Sequence, residues 1–118
     1  MMRAIRLLPL LLALASPAWA HAFLLRASPP VGSEVPTSPA RLTLRFTEGV
    51  EIAFSTVALR NASGATVSIP APALSPDDPT TIVIPLPKLP PGTYTVEWHV
   101  TSVDTHKTEG TFQFAVGS

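Results

Sequence analysis

Hydrophobic and polar residues alternate along much of this chain with a period of two. Between residues 41 and 47, Leu42, Leu44 and Phe46 fall on one face of an extended chain, and the intervening residues are polar. Side chains of a β-strand point alternately to its two faces, so this spacing is typical of strands with one buried face. The 14 prolines also disfavour long helices.

The alternating segments are short and are separated by turn residues. We predict about seven strands, at residues 23–27, 41–47, 54–60, 65–69, 80–84, 93–101 and 110–116, with loops at 31–39 and 70–79. The pattern predicts one all-β domain, an antiparallel sandwich of two sheets with immunoglobulin-like architecture. The chain has no cysteine, so the disulfide framework of antibody domains is excluded.

The first twenty residues have the features of a secretory signal. Arg3 and Arg6 precede a short apolar run at residues 7–15, and residues 18–20 read Ala-Trp-Ala, a small-x-small cleavage site. A membrane anchor is the alternative, but a spanning helix needs about 20 apolar residues and this run is shorter. We therefore expect a cleaved signal at 1–20, a mature domain at 21–118 that is not embedded in a membrane, and a periplasmic location.

Charge and cysteine content exclude several classes of function. Without residues 1–20, six basic residues stand against eight acidic ones, a net charge of −2. Binding to nucleic acid or to anionic lipid requires clustered positive charge, so neither is expected. The absence of cysteine also excludes thiolate metal sites and disulfides.

Three residues are candidate metal ligands: His21, Asp104 and His106. After cleavage, His21 would carry an α-amine, which is partly deprotonated near neutral pH and can chelate a metal together with the imidazole. Asp104 and His106 are two residues apart, so an extended chain would point both the same way. Nitrogen and oxygen donors in a tetragonal arrangement suit Cu(II), whereas zinc prefers a tetrahedral site.

Simpler interpretations stand beside this one. A histidine can follow a cleavage site by chance, and Asp-Thr is ordinary loop chemistry. His99 lies on the outward face of its strand and is interpreted as a solvated surface residue. Glu48 is either a group near the metal or a solvated acid at a strand end. Tyr94 and Trp98 are expected in the core.

The motifs resemble the CopC/PcoC family of periplasmic copper-binding proteins along nearly the whole mature chain. The matching segments are His-Ala-Phe-Leu-Leu-Arg-Ala-Ser-Pro-Pro from residue 21, Leu-Thr-Leu-Arg-Phe-Thr-Glu-Gly-Val from 42, Phe-Ser-Thr-Val-Ala-Leu from 54, Pro-Gly-Thr-Tyr-Thr-Val-Glu-Trp from 91, Ser-Val-Asp-Thr-His from 102 and Gly-Thr-Phe-Gln-Phe-Ala-Val from 110.

The resemblance implies a Greek-key β-sandwich that binds Cu(II) through the amine and imidazole of His21, Asp104 and His106. It also implies that Glu48 matches an acid of the family. Family members serve copper tolerance or supply, alongside an inner-membrane copper transporter of the CopD type. Some carry a Met-rich loop for Cu(I), but both methionines here are Met1 and Met2, so no cuprous site is expected.

The leading hypothesis is a monomeric, non-enzymatic periplasmic protein that buffers or carries one Cu(II) ion. A copper oxidase or monooxygenase would share the N-terminal histidine chelate, but Asp104 would occupy a position that dioxygen needs, and no aromatic substrate platform is visible. A metal-free interaction module of the cell envelope is the third interpretation.

Overall fold

Two β-sheets form the fold in the computed structural model, which describes residues 22–118. One has four strands in the order β1-β3-β7-β6, and the other has five in the order β2-β9-β8-β4-β5. The strands are β1 (Leu24–Ser28), β2 (Glu34–Val35), β3 (Arg41–Phe46), β4 (Thr56–Arg60), β5 (Thr66–Val67), β6 (Ala73–Ser75), β7 (Asp78–Pro85), β8 (Gly92–Thr101) and β9 (Lys107–Val116). All strand pairs are antiparallel except β2 with β9.

The alternating residues of the sequence form the core between the sheets. The four-stranded sheet contributes mainly Leu42, Leu44, Phe46, Ile82 and Ile84, and the five-stranded sheet contributes mainly Leu59, Tyr94, Val96, Trp98, Val100, Phe112, Phe114 and Val116. The rings of Phe46 and Trp98 pack edge to face with centroids 5.1 Å apart, which joins the sheets. The predicted all-β sandwich is therefore confirmed, with Tyr94 and Trp98 in the core.

The hairpin of β8 and β9 is the longest pairing of the described chain. Its register runs from Gly92 opposite Val116 to Thr101 opposite Lys107, without a break. The connection between these strands, residues 102–106, therefore projects from one end of the five-stranded sheet. This connection contains two of the three predicted metal ligands.

The observed strands differ from the prediction mainly in four places, and other strand ends shift by one or two residues. Residues 22–118 form nine strands rather than about seven, because β2 and β6 lie in stretches that we expected to be loops. Residues 52–54 form a short 3₁₀ helix, so β4 begins at Thr56 rather than at residue 54. The last strand begins at Lys107, before the glycine that the prediction took as its start.

The two additional strands, β2 and β6, are defined by main-chain pairing and not by an alternation of side chains. β2 contributes only two residues, which pair with Ala115 and Val116, and β6 pairs with β7 across an irregular register. Such short edge strands have no alternation long enough to recognise.

Within residues 22–118, no helix is long and apolar enough to cross a membrane. The expected signal, residues 1–20, lies outside the described residues.

Candidate metal centre

The turn between β8 and β9 is closed by hydrogen bonds between Ser102 and the residues that follow it. The Ser102 amide donates to the His106 carbonyl at 2.8 Å, and the Thr105 amide donates to the Ser102 carbonyl at 2.9 Å. Thr105 has a φ of 73°, in the left-handed region that non-glycine residues seldom adopt. This local reversal brings the residues on either side of Thr105 together.

Asp104 and His106 meet at this turn. Asp104 Oδ1 lies 3.2 Å from His106 Nδ1, and the two side chains are 39% and 52% exposed. The sequence prediction that the two would point the same way holds, but its reason was wrong. The residues lie in a turn outside both strands, and the left-handed Thr105 brings them together instead of the period-two repeat of a strand.

Hydrogen bonds to the carboxylate of Asp104 favour its charged form. The Ser102 hydroxyl donates to Asp104 Oδ1, and this bond is the main reason why the pKa of Asp104 lies below its ordinary value. His106 lowers the pKa of Asp104 further, while partial desolvation opposes both effects. A carboxylate that stays ionised is the form that binds a metal ion.

Sequence reasoning included Ser102 in a matching segment but assigned it no role. Its side chain is fully buried, and its hydroxyl contacts both Asp104 and the backbone of His106. In the sequence it follows Thr101 as one more small polar residue at the end of a strand. Only the Ser-x-Asp-x-His spacing distinguishes it, and that spacing becomes meaningful once the turn is known.

The first described residues lie at the same end of the sandwich. The Thr108 hydroxyl donates a 2.6 Å hydrogen bond to the carbonyl of Ala22, which is fully buried. Phe23 is fixed by main-chain and side-chain bonds to Thr47, at the end of β3. His21, the third predicted ligand, lies outside the described residues.

Glu48 and His99 are the remaining candidates from the sequence. Glu48 is half-buried, and the next residue, Gly49, accepts a 3.0 Å hydrogen bond from the amide of Val103. The backbone of Glu48 is therefore close to the turn, while a role for its side chain stays a prediction. His99 is an exposed residue of β8 that pairs with Glu109 across the strands at 3.4 Å.

Asp104 and His106 make a pair rather than a complete site. Among residues 22–118, no three or more His, Asp, Glu or Cys side chains come together in a way that could hold a metal ion. A carboxylate oxygen and an imidazole nitrogen are suitable donors for a borderline metal, but a stable centre needs further ligands. A further protein ligand must therefore come from outside residues 22–118, or from a side chain within them that moves toward Asp104 and His106.

Comparison with known proteins identifies the family. The CopC domain model matches residues 24–117. The chain belongs to the CopC domain family. Protein YobA of Escherichia coli K12 is 38% identical to this CopC-domain protein over 99 residues, which are 83% of this chain and 80% of YobA.

Two solved structures of the family have the same fold. CopC from Methylosinus trichosporium OB3b is 35% identical with a TM-score of 0.78, over 82% of this chain and 94% of that one. PcoC of Escherichia coli, a methionine-rich copper resistance protein, is 33% identical with a TM-score of 0.72, over 81% of this chain and 98% of PcoC. This CopC-domain protein differs in methionine content, since Met1 and Met2 are its two methionines.

Proposed function

We propose that this protein binds one Cu(II) ion in the periplasm and buffers or carries copper, for tolerance or for delivery to an inner-membrane transporter of the CopD type. The ligands are the amine and imidazole of His21, the carboxylate of Asp104 and the imidazole of His106. The protein acts as a monomer and without catalysis. The 3.2 Å approach of Asp104 Oδ1 to His106 Nδ1 is the observation on which this proposal depends.

That distance suits two donor atoms of one metal ion. Nitrogen and oxygen ligands lie about 2.0–2.2 Å from a borderline divalent metal, so two ligands at right angles are roughly 3 Å apart. Asp104 Oδ1 and His106 Nδ1 already have nearly this separation. A bound metal would replace the hydrogen bond between these two atoms, with the donors already at about the required separation.

The position of Ala22 supports the assignment of His21. His21 precedes Ala22 directly, and consecutive Cα atoms of a trans peptide are about 3.8 Å apart. Ala22 is hydrogen-bonded to Thr108, two residues after His106. If cleavage follows Ala20, the amine and imidazole of His21 would start the mature chain beside the Asp104–His106 pair, and export would place the protein in the periplasm.

The donor set favours the cupric over the cuprous ion. Residues 21–118 contain no methionine and no cysteine, so the soft sulfur ligands that Cu(I) prefers are absent from this part of the sequence. Membership of the CopC domain family and the similarity to PcoC, itself a copper resistance protein, support copper as the metal.

The test compares Cu(II) affinity among four forms of the secreted protein. Purification from the periplasm and intact-mass measurement first establish whether residue 21 is the N-terminus. Competition titration with a copper chelator should then show weaker binding after addition of one residue before His21, and after H106A. H99A removes an exposed histidine outside the proposed site and should bind as tightly as the native protein.

Equal affinity in the extended and native forms would contradict the chelate at His21. Equal affinity in H106A and the native protein would contradict the Asp104–His106 pair as ligands. Binding should also weaken in acid, because the amine and both imidazoles must lose protons before they coordinate copper.

A further inference from the structure

The hydroxyl of Ser102 is a buried group beside two exposed ones. Ser102 has 0% of its surface exposed, whereas the side chains of Asp104 and His106 are 39% and 52% exposed. Its Oγ atom contacts Asp104 Oδ1 and lies 3.3 Å from both the amide nitrogen and the carbonyl oxygen of His106. A single hydroxyl thus connects the side chain of Asp104 to the backbone of His106, the two residues proposed to bind copper.

The direction of these hydrogen bonds follows from their chemistry. A serine hydroxyl has one proton to donate and two lone pairs to accept with. A charged carboxylate is a stronger acceptor than a carbonyl, so the proton goes to Asp104 Oδ1 rather than to the carbonyl of His106. The oxygen of Ser102 then accepts from the amide of His106.

This arrangement fixes one carboxylate oxygen from two sides. Oδ1 of Asp104 receives the Ser102 hydroxyl on one side and faces His106 Nδ1 on the other. An exposed aspartate otherwise samples several rotamers, and ordering them on binding costs conformational entropy. A donor held by a buried partner has lost that freedom before the metal arrives.

We propose that Ser102 is a positioning residue for the copper site, whose buried hydroxyl holds Asp104 Oδ1 beside His106 in the geometry of a shared metal. The proposal rests on the proposed function. Residues that orient metal ligands through hydrogen bonds typically change metal affinity by about 10–100-fold when they are removed. We therefore expect S102A to weaken Cu(II) binding by roughly 10-fold.

A double-mutant cycle separates this role from a general effect on the turn. Cu(II) affinity is measured by chelator competition for the native protein, S102A, D104A and S102A/D104A. If Ser102 acts through Asp104, S102A should weaken binding in the native background and change it less than about 2-fold in the D104A background. The electron paramagnetic resonance spectrum of the S102A copper complex should also shift toward that of D104A.

S55A is the matched control. Ser55 is also buried, and its hydroxyl donates to the Glu51 carbonyl at 2.9 Å and accepts from the Thr101 amide at 3.1 Å. It therefore supports the backbone one residue before Ser102. Like S102A, S55A removes a buried hydroxyl and should lower thermal stability, but it should leave copper affinity unchanged. S102T keeps the hydroxyl at residue 102 and should retain native copper affinity.

The outcomes separate the two proposals. If D104A binds copper as tightly as the native protein, the proposed ligand set is wrong. If D104A binds weakly and S102A binds like the native protein, the role of Ser102 alone is wrong. The role of Ser102 would also be overturned if S102A lowered copper affinity equally in the native protein and in D104A. If S102A does not fold by circular dichroism, S102G, which also removes the hydroxyl, is used in the same cycle.

Discussion

The hydroxyl of Thr108 donates a hydrogen bond to the carbonyl of Ala22, 86 residues earlier in the chain, at 2.6 Å. This bond attaches the beginning of the described chain to the first residues of β9, beside the Asp104–His106 pair. In the proposed site, Ala22 follows the copper ligand His21. Together with the bonds between Phe23 and Thr47, the bond from Thr108 holds the first described residues at this end of the sandwich.

Replacement of Thr108 by valine tests this attachment. Valine keeps the branched shape and removes the donor, so the carbonyl of buried Ala22 loses its partner, at a cost of about 1–3 kcal/mol. We expect lower stability in urea denaturation and weaker Cu(II) binding by chelator competition. T111V, the same change at an exposed position of β9, should affect neither. Unchanged copper affinity in T108V would show that this bond does not position the N-terminal ligand.

The sequence predicted the fold well wherever one face of a strand is buried. Leu42, Leu44 and Phe46 alternate with polar residues because β3 lies between the core and solvent, and all three are buried. β6 gave no such signal, because it has three residues and its position depends on main-chain pairing with β7. Local patterns therefore predicted the sandwich and missed its short edge strands.

The candidate site was predictable only in its residue types. Asp104 and His106 could be selected as donors from their spacing, but a φ of 73° at Thr105 brings them together, and nothing in the sequence indicates that conformation. The proposed role of Ser102 depends on its burial, which results from packing at the end of the hairpin. Long-range contacts of this kind cannot be read from adjacent residues.

Gly110 lies under the ring of Trp98 and has no room for a side chain. A Cβ atom there would be 2.6 Å from Cζ2 and 2.8 Å from Cε2 of Trp98, which is buried. G110A should therefore displace the indole and cost about 1–3 kcal/mol. Urea denaturation and the tryptophan fluorescence of the native state measure the two effects.

T111A, at the next and exposed position of β9, is the control for the change at Gly110, and it should change stability by only about 0.5 kcal/mol. Equal stabilities of G110A and the native protein would mean that the indole can move away from the strand without loss of packing.

The edge-to-face pair of Phe46 and Trp98 joins the two sheets. Phe46 is 1% exposed, so F46A would leave a cavity in the core and should cost about 3–5 kcal/mol. F54A makes the same change at a phenylalanine that is 71% exposed and should have little effect in the same denaturation experiment. Similar losses from both substitutions would contradict the observed core.

Asp78 should determine part of the acid sensitivity of the fold. Its carboxylate accepts hydrogen bonds from the Thr80 hydroxyl at 2.6 Å, the Thr80 amide at 2.9 Å and the Thr81 hydroxyl at 2.8 Å. These bonds, that of the Thr80 hydroxyl first, lower the pKa of Asp78 from 3.8 to about 2, against a smaller effect of desolvation. The folded state therefore binds a proton less readily than the unfolded state.

The direction of the pH effect follows from this difference. Asp78 contributes stability that is fully present above the unfolded pKa and is lost as the pH falls through the folded pKa. The native protein should thus be more stable than D78N at neutral pH, and the gap should shrink as the pH falls below about 4. Urea denaturation at a series of pH values measures the gap. D77N removes the neighbouring exposed carboxylate, and its stability should differ less from that of the native protein at every pH. A stability difference between D78N and the native protein that does not change with pH would exclude the charge of Asp78 as its cause.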